Sequence, residues 1–163
     1  PSRSTPIEET MRAMEALVDS GRIRYIGVSN FSTNDLTEAQ AALRHHQIVS
    51  NQVLYNLRCR DIERTLMPYC QRHDVTIIAY TPLDSGKLAT AGRLFSSRDT
   101  RVLQTVAKQN RKTPAQVALN WCTSHDNSRW IRPNRHLFSS KYLCYRRDIE
   151  PGSGYRNKFI SRV

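Results

Sequence analysis

The chain has 163 residues, of which 39% are hydrophobic and 24% are charged. This length suits one ordinary domain, and the composition excludes both a disordered chain and a membrane protein. The sequence has no run of about 18 or more apolar residues that would cross a membrane. It also lacks the charged-then-apolar start of a signal peptide. Because the first residue is not methionine, we expect a fragment of a longer protein.

The formal net charge is +11, and its distribution along the chain is uneven. Residues 126–163 hold nine basic and three acidic residues, whereas residues 1–125 hold sixteen and eleven. The basic excess alone would favour nucleic acid as a partner. Because more than half of the excess lies in the last 38 residues, the charge of the rest of the chain gives weaker support for a nucleic-acid partner.

The cysteines give no sign of disulfides or of a metal site. They show no CxxC spacing, and no local His/Cys pattern has the spacing of a zinc site. We therefore expect reduced thiols, no metal cofactor and a cytoplasmic location. The four cysteines are Cys59, Cys70, Cys122 and Cys144.

The predicted elements begin with a helix. Thr5 is its predicted cap, Pro6 suits its first turn, Glu8 completes a capping box, and Gly21 ends it. A short strand is predicted over Ile23–Val28. The apolar stripe of the helix is Ile7, Met11, Met14 and Val18.

The same cycle of helix and strand then repeats. Its members are a helix capped at 32–35, a strand over 48–54, a helix over 61–73, a strand over 75–80, and helices over 99–110 and from 113. No hairpin joins the strands, which predicts βα units on a parallel sheet. An open doubly wound sheet and a (β/α)₈ barrel both fit. Neither a GxGxxG turn nor a GxxxxGK[ST] loop favours the open sheet, and the chain would supply about half of a barrel of about 250 residues.

Polar uncharged side chains and an aromatic ring follow the three predicted strands. These residues are Ser29-Asn30-Phe31, then Asn51-Gln52 with Tyr55-Asn56, then Tyr80 to Gly86. Parallel α/β folds bind ligands at these strand ends. Amides, hydroxyls and a flat ring suit a planar amide such as nicotinamide, and the groups near Ser85 and Gly86 suit a pyrophosphate. No carboxylate pair or His/carboxylate cluster stands there.

Each of these residues also has an ordinary structural interpretation. Ser29 and Asn30 are residue types that cap a following turn. Gln52 and Tyr80 are also typical of buried polar groups with satisfied hydrogen bonds. Three successive strand ends of matching character favour a binding site over three separate structural roles.

One stretch is specific for a family. Residues Gly21-Arg22-Ile23-Arg24-Tyr25-Ile26-Gly27-Val28-Ser29-Asn30-Phe31 resemble the signature of the aldo/keto reductases. Further stretches are similar in the same order, namely Ile7–Gly21, Asn51-Gln52-Val53, Ala79-Tyr80-Thr81-Pro82-Leu83 and Thr113–Trp121. The resemblance runs from Pro6 to Ser124, and its character is that of microbial reductases related to diketogluconate reductase.

The resemblance implies a (β/α)₈ TIM barrel that reduces aldehydes and ketones with NADPH. The implied partner is a small carbonyl substrate of the full-length parent, and NADH is not excluded as the cofactor. The implied cofactor residues are Ser29, Asn30 and Gln52 on the nicotinamide carboxamide, Tyr80 stacked on the nicotinamide ring, and Thr81, Leu83 and Ser85 along the pyrophosphate.

The sequence departs from the family at both ends. The family's catalytic Asp, Tyr, Lys and His belong to the half of the barrel before Pro1, so we assign no catalytic residue and expect these residues alone to be inactive. After Ser124 the family has a strand ending in Ile-Pro-Lys, which this sequence lacks. We therefore predict a partial barrel domain over residues 1–125 and a divergent, irregular basic tail over 126–163.

The tail admits two interpretations. A one-nucleotide frame shift in its coding sequence is the preferred hypothesis. The alternative is a real basic extension that binds single-stranded nucleic acid, although without a recognisable motif we do not expect nucleic acid. The residues behind this alternative are Arg129, Arg132, Arg135, Arg146 and Arg147, with Trp130, Phe138, Tyr142 and Tyr145. For the chain as a whole, a non-catalytic binding protein on the same fold is the alternative to a reductase. A half barrel also leaves its first and last parallel strands unpaired, so we expect self-association.

Overall fold

The structure is a computed structural model, and it describes residues 5–89, 98–124, 131–133, 142–145 and 159–160. The helices are α1 (Ile7–Asp19), α2 (Thr33–Ala42), α3 (Leu66–Arg72), α4 (Arg98–Gln109) and α5 (Pro114–Thr123). The strands are β1 (Tyr25–Ser29), β2 (Ile48–Leu54), β3 (Thr76–Tyr80), β4 (Ile131–Pro133), β5 (Tyr142–Tyr145) and β6 (Phe159–Ile160). None of the helices in these ranges is both long and apolar enough to cross a membrane.

The described strands form one sheet in the order β4-β3-β2-β1-β5-β6. Strands β1 to β4 run parallel, with Ser29 opposite Gln52, and Gln52 opposite Ile78. This confirms successive βα units. The bounds of β2 are those predicted, whereas β1 begins two residues after the predicted Ile23 and β3 one residue after the predicted Val75.

Most helix ends follow the sequence signals. Ser32 caps α2, since its Oγ accepts from the Asp35 N–H (3.2 Å) and the Asp35 carboxylate accepts from the Ser32 N–H (2.8 Å). Thr113 and Gln116 form the same reciprocal pair at α5. Gly21 follows α1 with φ +70°, a left-handed conformation that ends a helix at little cost for glycine.

Two predicted helix starts are wrong. Thr5 does not cap α1, because the extended backbone of Pro6 (ψ 144°) takes the capping position and makes no side-chain hydrogen bond. The predicted helix over 61–73 is divided into a 3₁₀ turn at Asp61–Glu63 and α3. Pro68 explains the division, because proline lacks an N–H and fits only in the first turn of an α-helix.

The two faces of β1, β2 and β3 differ in their packing. Residues opposite each other on neighbouring strands share a face. The face that packs against the helices holds Val28, Asn51, Val53, Ile77 and Ala79, all at most 4% exposed. The other face holds Ser29, Gln52, Leu54, Ile78 and Tyr80, and Leu54 is 38% exposed there. In a closed barrel this second face lines the interior.

The hydrophobic residues form a main core and a smaller one. The main core lies between the helix-facing side of the sheet and α1, α2 and α3, with Met11, Phe31, Leu36 and Cys70 almost fully buried. The smaller core joins α4, α5 and the segment after β3 through Leu88, Leu103 and Ala118.

The structure corrects two expectations about the tail. Sequence patterning indicates no strand after Asp126, yet β4 lies parallel to β3, and β5 and β6 are strands. The expectation that the first parallel strand is unpaired is also wrong, since β5 lies antiparallel along β1. Self-association stays a prediction. The basic and aromatic side chains that underlie the nucleic-acid alternative lie outside the described side chains.

Candidate functional site

Ser29, Asn30 and Gln52 come together at the carboxyl ends of β1 and β2. The Ser29 Oγ donates to the backbone carbonyl of Gln52 (3.0 Å), and the Asn30 N–H donates to the same oxygen (2.8 Å). Ser29 is buried and Asn30 is exposed. Asn30 has φ 56°, a left-handed conformation that asparagine tolerates better than most residues. The chain therefore turns sharply just after the strand and leaves the Asn30 side chain at the surface.

The side-chain amide of Gln52 is buried without a hydrogen-bond partner. The residue is 1% exposed, and neither Oε1 nor Nε2 has a partner among the residues that the structure describes. A buried polar group without a partner destabilises the folded state by roughly 1–3 kcal/mol. An orphaned amide on the barrel-facing side of a strand end is therefore a feature that a ligand would satisfy.

Tyr80 lies at the carboxyl end of β3, next to the strand that holds Gln52. It lies opposite Leu54 and shares the barrel-facing side of the sheet with Gln52 and Ile78. Tyr80 is half-buried. The structure thus places the predicted amide, hydroxyl and aromatic ring on one face of three neighbouring strands.

The segment after β3 is a succession of tight turns. Thr81, Asp84 and Ser85 have φ values of 54°, 47° and 54°, which are left-handed conformations unusual for residues with side chains. Ser85 is exposed and lies next to Gly86. Leu83 packs partly against the smaller core, and its carbonyl accepts from the Gly86 N–H (3.0 Å). Thr81 is half-buried and Ser85 is exposed, whereas Leu83 also has a structural role.

Two buried asparagines hold these loops, and the sequence reasoning did not assign either to the site. Asn51 accepts from the Phe31 N–H through Oδ1 (3.3 Å) and donates to the Phe31 carbonyl through Nδ2 (2.8 Å). Asn56 donates to the Thr81 carbonyl (3.0 Å). Both belong to the polar residues that follow the predicted strands, and this position was the signal in the sequence that could have pointed to them. Their function as supports depends on contacts between strands that spacing does not reveal.

Tyr55 is buried in a polar and aromatic cluster beside this site. Its hydroxyl donates to Glu63 Oε1 (2.8 Å), and its ring stacks on Trp121 with centroids 5.3 Å apart. Arg60 lies over the Trp121 ring and pairs with Glu63. Burial, with the hydrogen-bonded Glu63 carboxylate, raises the pKa of Tyr55 above its usual range. The cluster therefore keeps the phenol protonated and ties the loop after β2 to α5.

A separate cleft lies away from the strand ends. It has a volume of about 470 Å³ and opens between α4 and α5, beside Val106, Lys112 and Gln116. None of the predicted site residues lines it. In the ranges that the structure describes, no group of three or more His, Cys, Asp or Glu side chains is placed to hold a metal ion. The candidate site therefore rests on the strand-end residues and their supporting loops.

Comparison with models of known protein families assigns the chain to one family. The model of the aldo/keto reductase family matches residues 1–136. The chain belongs to the aldo/keto reductase family. The resemblance seen in the Gly21–Phe31 stretch is thereby confirmed, and the match extends past residue 125 into the start of the tail.

Related proteins agree with this assignment. Methylglyoxal reductase YeaE of Escherichia coli (strain K12) is 40% identical over 125 residues, which are 76% of this chain and 42% of that protein. The 9,11-endoperoxide prostaglandin H2 reductase of Trypanosoma cruzi (strain CL Brener) is 36% identical over 117 residues, covering 72% of this chain and 38% of that protein. These two relatives are thus named as reductases, one of methylglyoxal and the other of a prostaglandin endoperoxide.

Solved aldo/keto reductases share the fold, which confirms a partial TIM barrel. A thermostable member in complex with the inhibitor epalrestat has a TM-score of 0.70 and 38% identity, covering 82% of this chain and 45% of that one. A Klebsiella pneumoniae member in complex with NADP and acetate has a TM-score of 0.62 and 37% identity, covering 78% and 43%. The chain therefore spans less than half the length of each of these relatives.

Proposed function

We propose that the strand-end residues form the nicotinamide part of an NADPH site in a reductase of aldehydes and ketones. The observation that carries the proposal is the Gln52 amide, buried and without a partner among the described residues. A nicotinamide carboxamide is its complement, because each amide offers the other both a donor and an acceptor. The hydrogen-bonding groups of the site therefore fit the nicotinamide carboxamide of the cofactor.

The chain's own residues have distinct roles in this proposal. Gln52 and Ser29 orient the carboxamide, with Asn30 beside them, and Tyr80 stacks on the ring. Thr81, Leu83 and Ser85 follow the pyrophosphate, where backbone N–H groups of the turns donate to its anionic oxygens. The bound cofactor supplies a hydride for a carbonyl carbon. What the protein contributes here is orientation and the exclusion of water.

Two comparisons support the choice of ligand. The Klebsiella pneumoniae neighbour was solved with NADP, and the Escherichia coli relative is named for methylglyoxal, a small carbonyl compound. NADPH is proposed in preference to NADH because the resemblance to the family implies NADPH. The proposed partner is accordingly a small carbonyl substrate of the whole protein. The free thiols of Cys59, Cys70 and Cys122 support a reducing compartment such as the cytoplasm.

We also propose that these 163 residues bind cofactor without turning it over. The catalytic Asp, Tyr, Lys and His that the resemblance implies are not assigned to any residue of this sequence. Loss of a general acid alone removes typically 10²–10⁴-fold in rate. The proposed organisation remains a partial barrel domain over 1–125 with a divergent basic tail over 126–163.

Calorimetric titration of the chain with pieces of the cofactor tests the binding proposal. Reduced nicotinamide mononucleotide should bind and should compete with NADPH, because the assigned residues face the nicotinamide and pyrophosphate. Adenosine 2′,5′-bisphosphate should compete poorly. Competition by the adenosine piece alone would contradict the proposed site. NADPH oxidation with methylglyoxal should stay at the rate without protein, and turnover like that of a whole reductase would contradict the second proposal.

A further inference from the structure

The loop after β3 holds an unfavourable backbone conformation. Thr81, Asp84 and Ser85 are all left-handed, and none of them is glycine. Such conformations persist only where the surrounding structure holds them. The Asp84 N–H donates to the Thr81 carbonyl and the Lys87 N–H donates to the Asp84 carbonyl (both 3.0 Å), so the first of these internal bonds depends directly on the position of Thr81.

Asn56 is the residue that fixes this position from the neighbouring loop. Its side chain is fully buried, and its Nδ2 donates to the Thr81 carbonyl at 3.0 Å. Its Oδ1 accepts from the Arg58 N–H (2.9 Å) and the Cys59 N–H (3.0 Å). The amide therefore uses its acceptor to close its own turn and its donor to hold the next loop.

A second link between the two loops is weaker. Arg58 Nη1 donates to Asp84 Oδ2 at 3.1 Å, and the Arg58 and Asp84 side chains are 50% and 19% exposed. Because the guanidinium lies half in solvent, water and salt weaken this pair. The buried amide of Asn56 is thus the stronger restraint on the loop.

We propose that Asn56 is a positioning residue that sets the 81–86 loop in its cofactor-binding conformation before the cofactor arrives. The proposal rests on the proposed function, because Thr81, Leu83 and Ser85 are the residues assigned to the pyrophosphate. Asn56 acts through the Thr81 carbonyl and does not itself touch the cofactor. Holding the loop in advance removes an ordering cost from binding.

The substitution Asn56→Asp replaces the amide donor with a carboxylate, and the exchange measurement without cofactor separates the loss of the donor from repulsion between the new charge and the pyrophosphate. The substitution keeps an acceptor for the Arg58 and Cys59 N–H groups but places a carboxylate oxygen against the Thr81 carbonyl. Gln40→Glu is the matched control. Gln40 Nε2 donates to the His46 carbonyl and Oε1 accepts from the Ile48 N–H, both at 3.0 Å, at the opposite end of β2. The control therefore makes the same chemical change far from the loop.

Two readouts decide the proposal. Hydrogen exchange of the Asp84, Gly86 and Lys87 amides without cofactor should accelerate about tenfold in Asn56→Asp and remain unchanged in Gln40→Glu. The Kd for NADPH should rise about tenfold in Asn56→Asp alone. Unchanged loop exchange overturns the proposal, and so does faster exchange with an unchanged Kd.

The Thr81→Gly background gives a second test, and Asn56→Ser, which keeps an oxygen acceptor but is too short to hold the next loop, replaces Asn56→Asp in both backgrounds if Asn56→Asp does not fold. Glycine adopts φ 54° without the cost that threonine has, so the Asn56→Asp change should have a smaller effect there. An equal effect in both backgrounds overturns the proposal. A wild-type chain that does not bind NADPH overturns the proposed function instead, and the exchange comparison without cofactor still decides the role of Asn56.

Discussion

The Ser29 hydroxyl donates to the backbone carbonyl of Gln52 at 3.0 Å, across two neighbouring parallel strands. A serine hydroxyl has a single proton, so this bond leaves Ser29 only lone pairs to offer a ligand. The Gln52 side chain keeps both a donor and an acceptor. The two residues are adjacent, but they contribute unequally to a site for an amide.

This inequality predicts a mild effect of Ser29→Ala on binding. The Gln52 carbonyl keeps the Asn30 N–H as a donor, so the free energy of unfolding should fall by about 1 kcal/mol. The Kd for NADPH should rise by less than about tenfold, because one accepting contact is lost. Urea unfolding and calorimetric titration of the same sample measure both quantities. Complete loss of binding in a folded variant would contradict the assigned role of Ser29.

Tyr80 should act through its ring and not through its hydroxyl. Tyr80→Phe keeps the flat face and is expected to bind NADPH as the wild type does. Tyr80→Ala should weaken binding by about three- to tenfold, the size of a stacking contribution. Titrations of the two variants give the comparison. If Tyr80→Phe weakens binding as much as Tyr80→Ala, the hydroxyl is the binding group and the stacking role is wrong.

Much of the fold follows from local signals. Reciprocal caps at Ser32 and Thr113, the break at Gly21 and the β-branched run before Tyr80 each have a short-range cause. The parallel order of β1, β2 and β3 follows from strands separated by helices. The division of the helix over 61–73 was not predicted, although Pro68 supplies its reason.

The candidate site is predictable in its residue types but not in its connections. Sequence places Gln52 at a strand end, yet only the folded chain shows that its amide lacks a partner. The bond from Asn56 to Thr81 spans 25 residues and joins two loops. The pairing of β5 with β1 is likewise a long-range contact that no local pattern indicates.

The cysteines should react in an order set by burial. Burial raises the pKa of the Cys70 thiol to about 12 and that of Cys122 to about 11. Cys59 is half-buried in the loop after β2. Because the thiolate is the reactive form, iodoacetamide at neutral pH should label Cys59 well before Cys70 and Cys122. Peptide mapping by mass spectrometry separates the sites, and urea should remove the difference. Equal rates in the native protein would show that α3 and α5 open readily.

Glu15 should make stability depend on acid pH. Its carboxylate accepts from the His45 N–H (2.9 Å) and the Arg44 N–H (2.8 Å), and these bonds lower its pKa from 4.5. A carboxyl with a lower pKa in the folded state stabilises the fold above its unfolded pKa, and this contribution is lost as the pH falls through the folded pKa.

The variant Glu15→Gln removes that titration. The difference in free energy of unfolding between the wild type and Glu15→Gln should therefore narrow as the pH falls from about 6 to about 3. Glu38→Gln, at an exposed position of α2, is the control and should show no such narrowing. Urea titrations across this range provide the measurement. A constant difference for Glu15→Gln would mean that its bonds contribute equally in both protonation states.

The most direct test of the cofactor site is NADPH titration and urea unfolding of Gln52→Met, with Gln40→Met as the control. Methionine matches glutamine in length but has no amide. Gln52→Met should be as stable as the wild type or more stable, because it removes a buried amide without a partner, and its Kd for NADPH should rise at least about tenfold. Gln40→Met loses two made hydrogen bonds and should be less stable with unchanged affinity. Unchanged NADPH binding by a folded Gln52→Met would contradict the account.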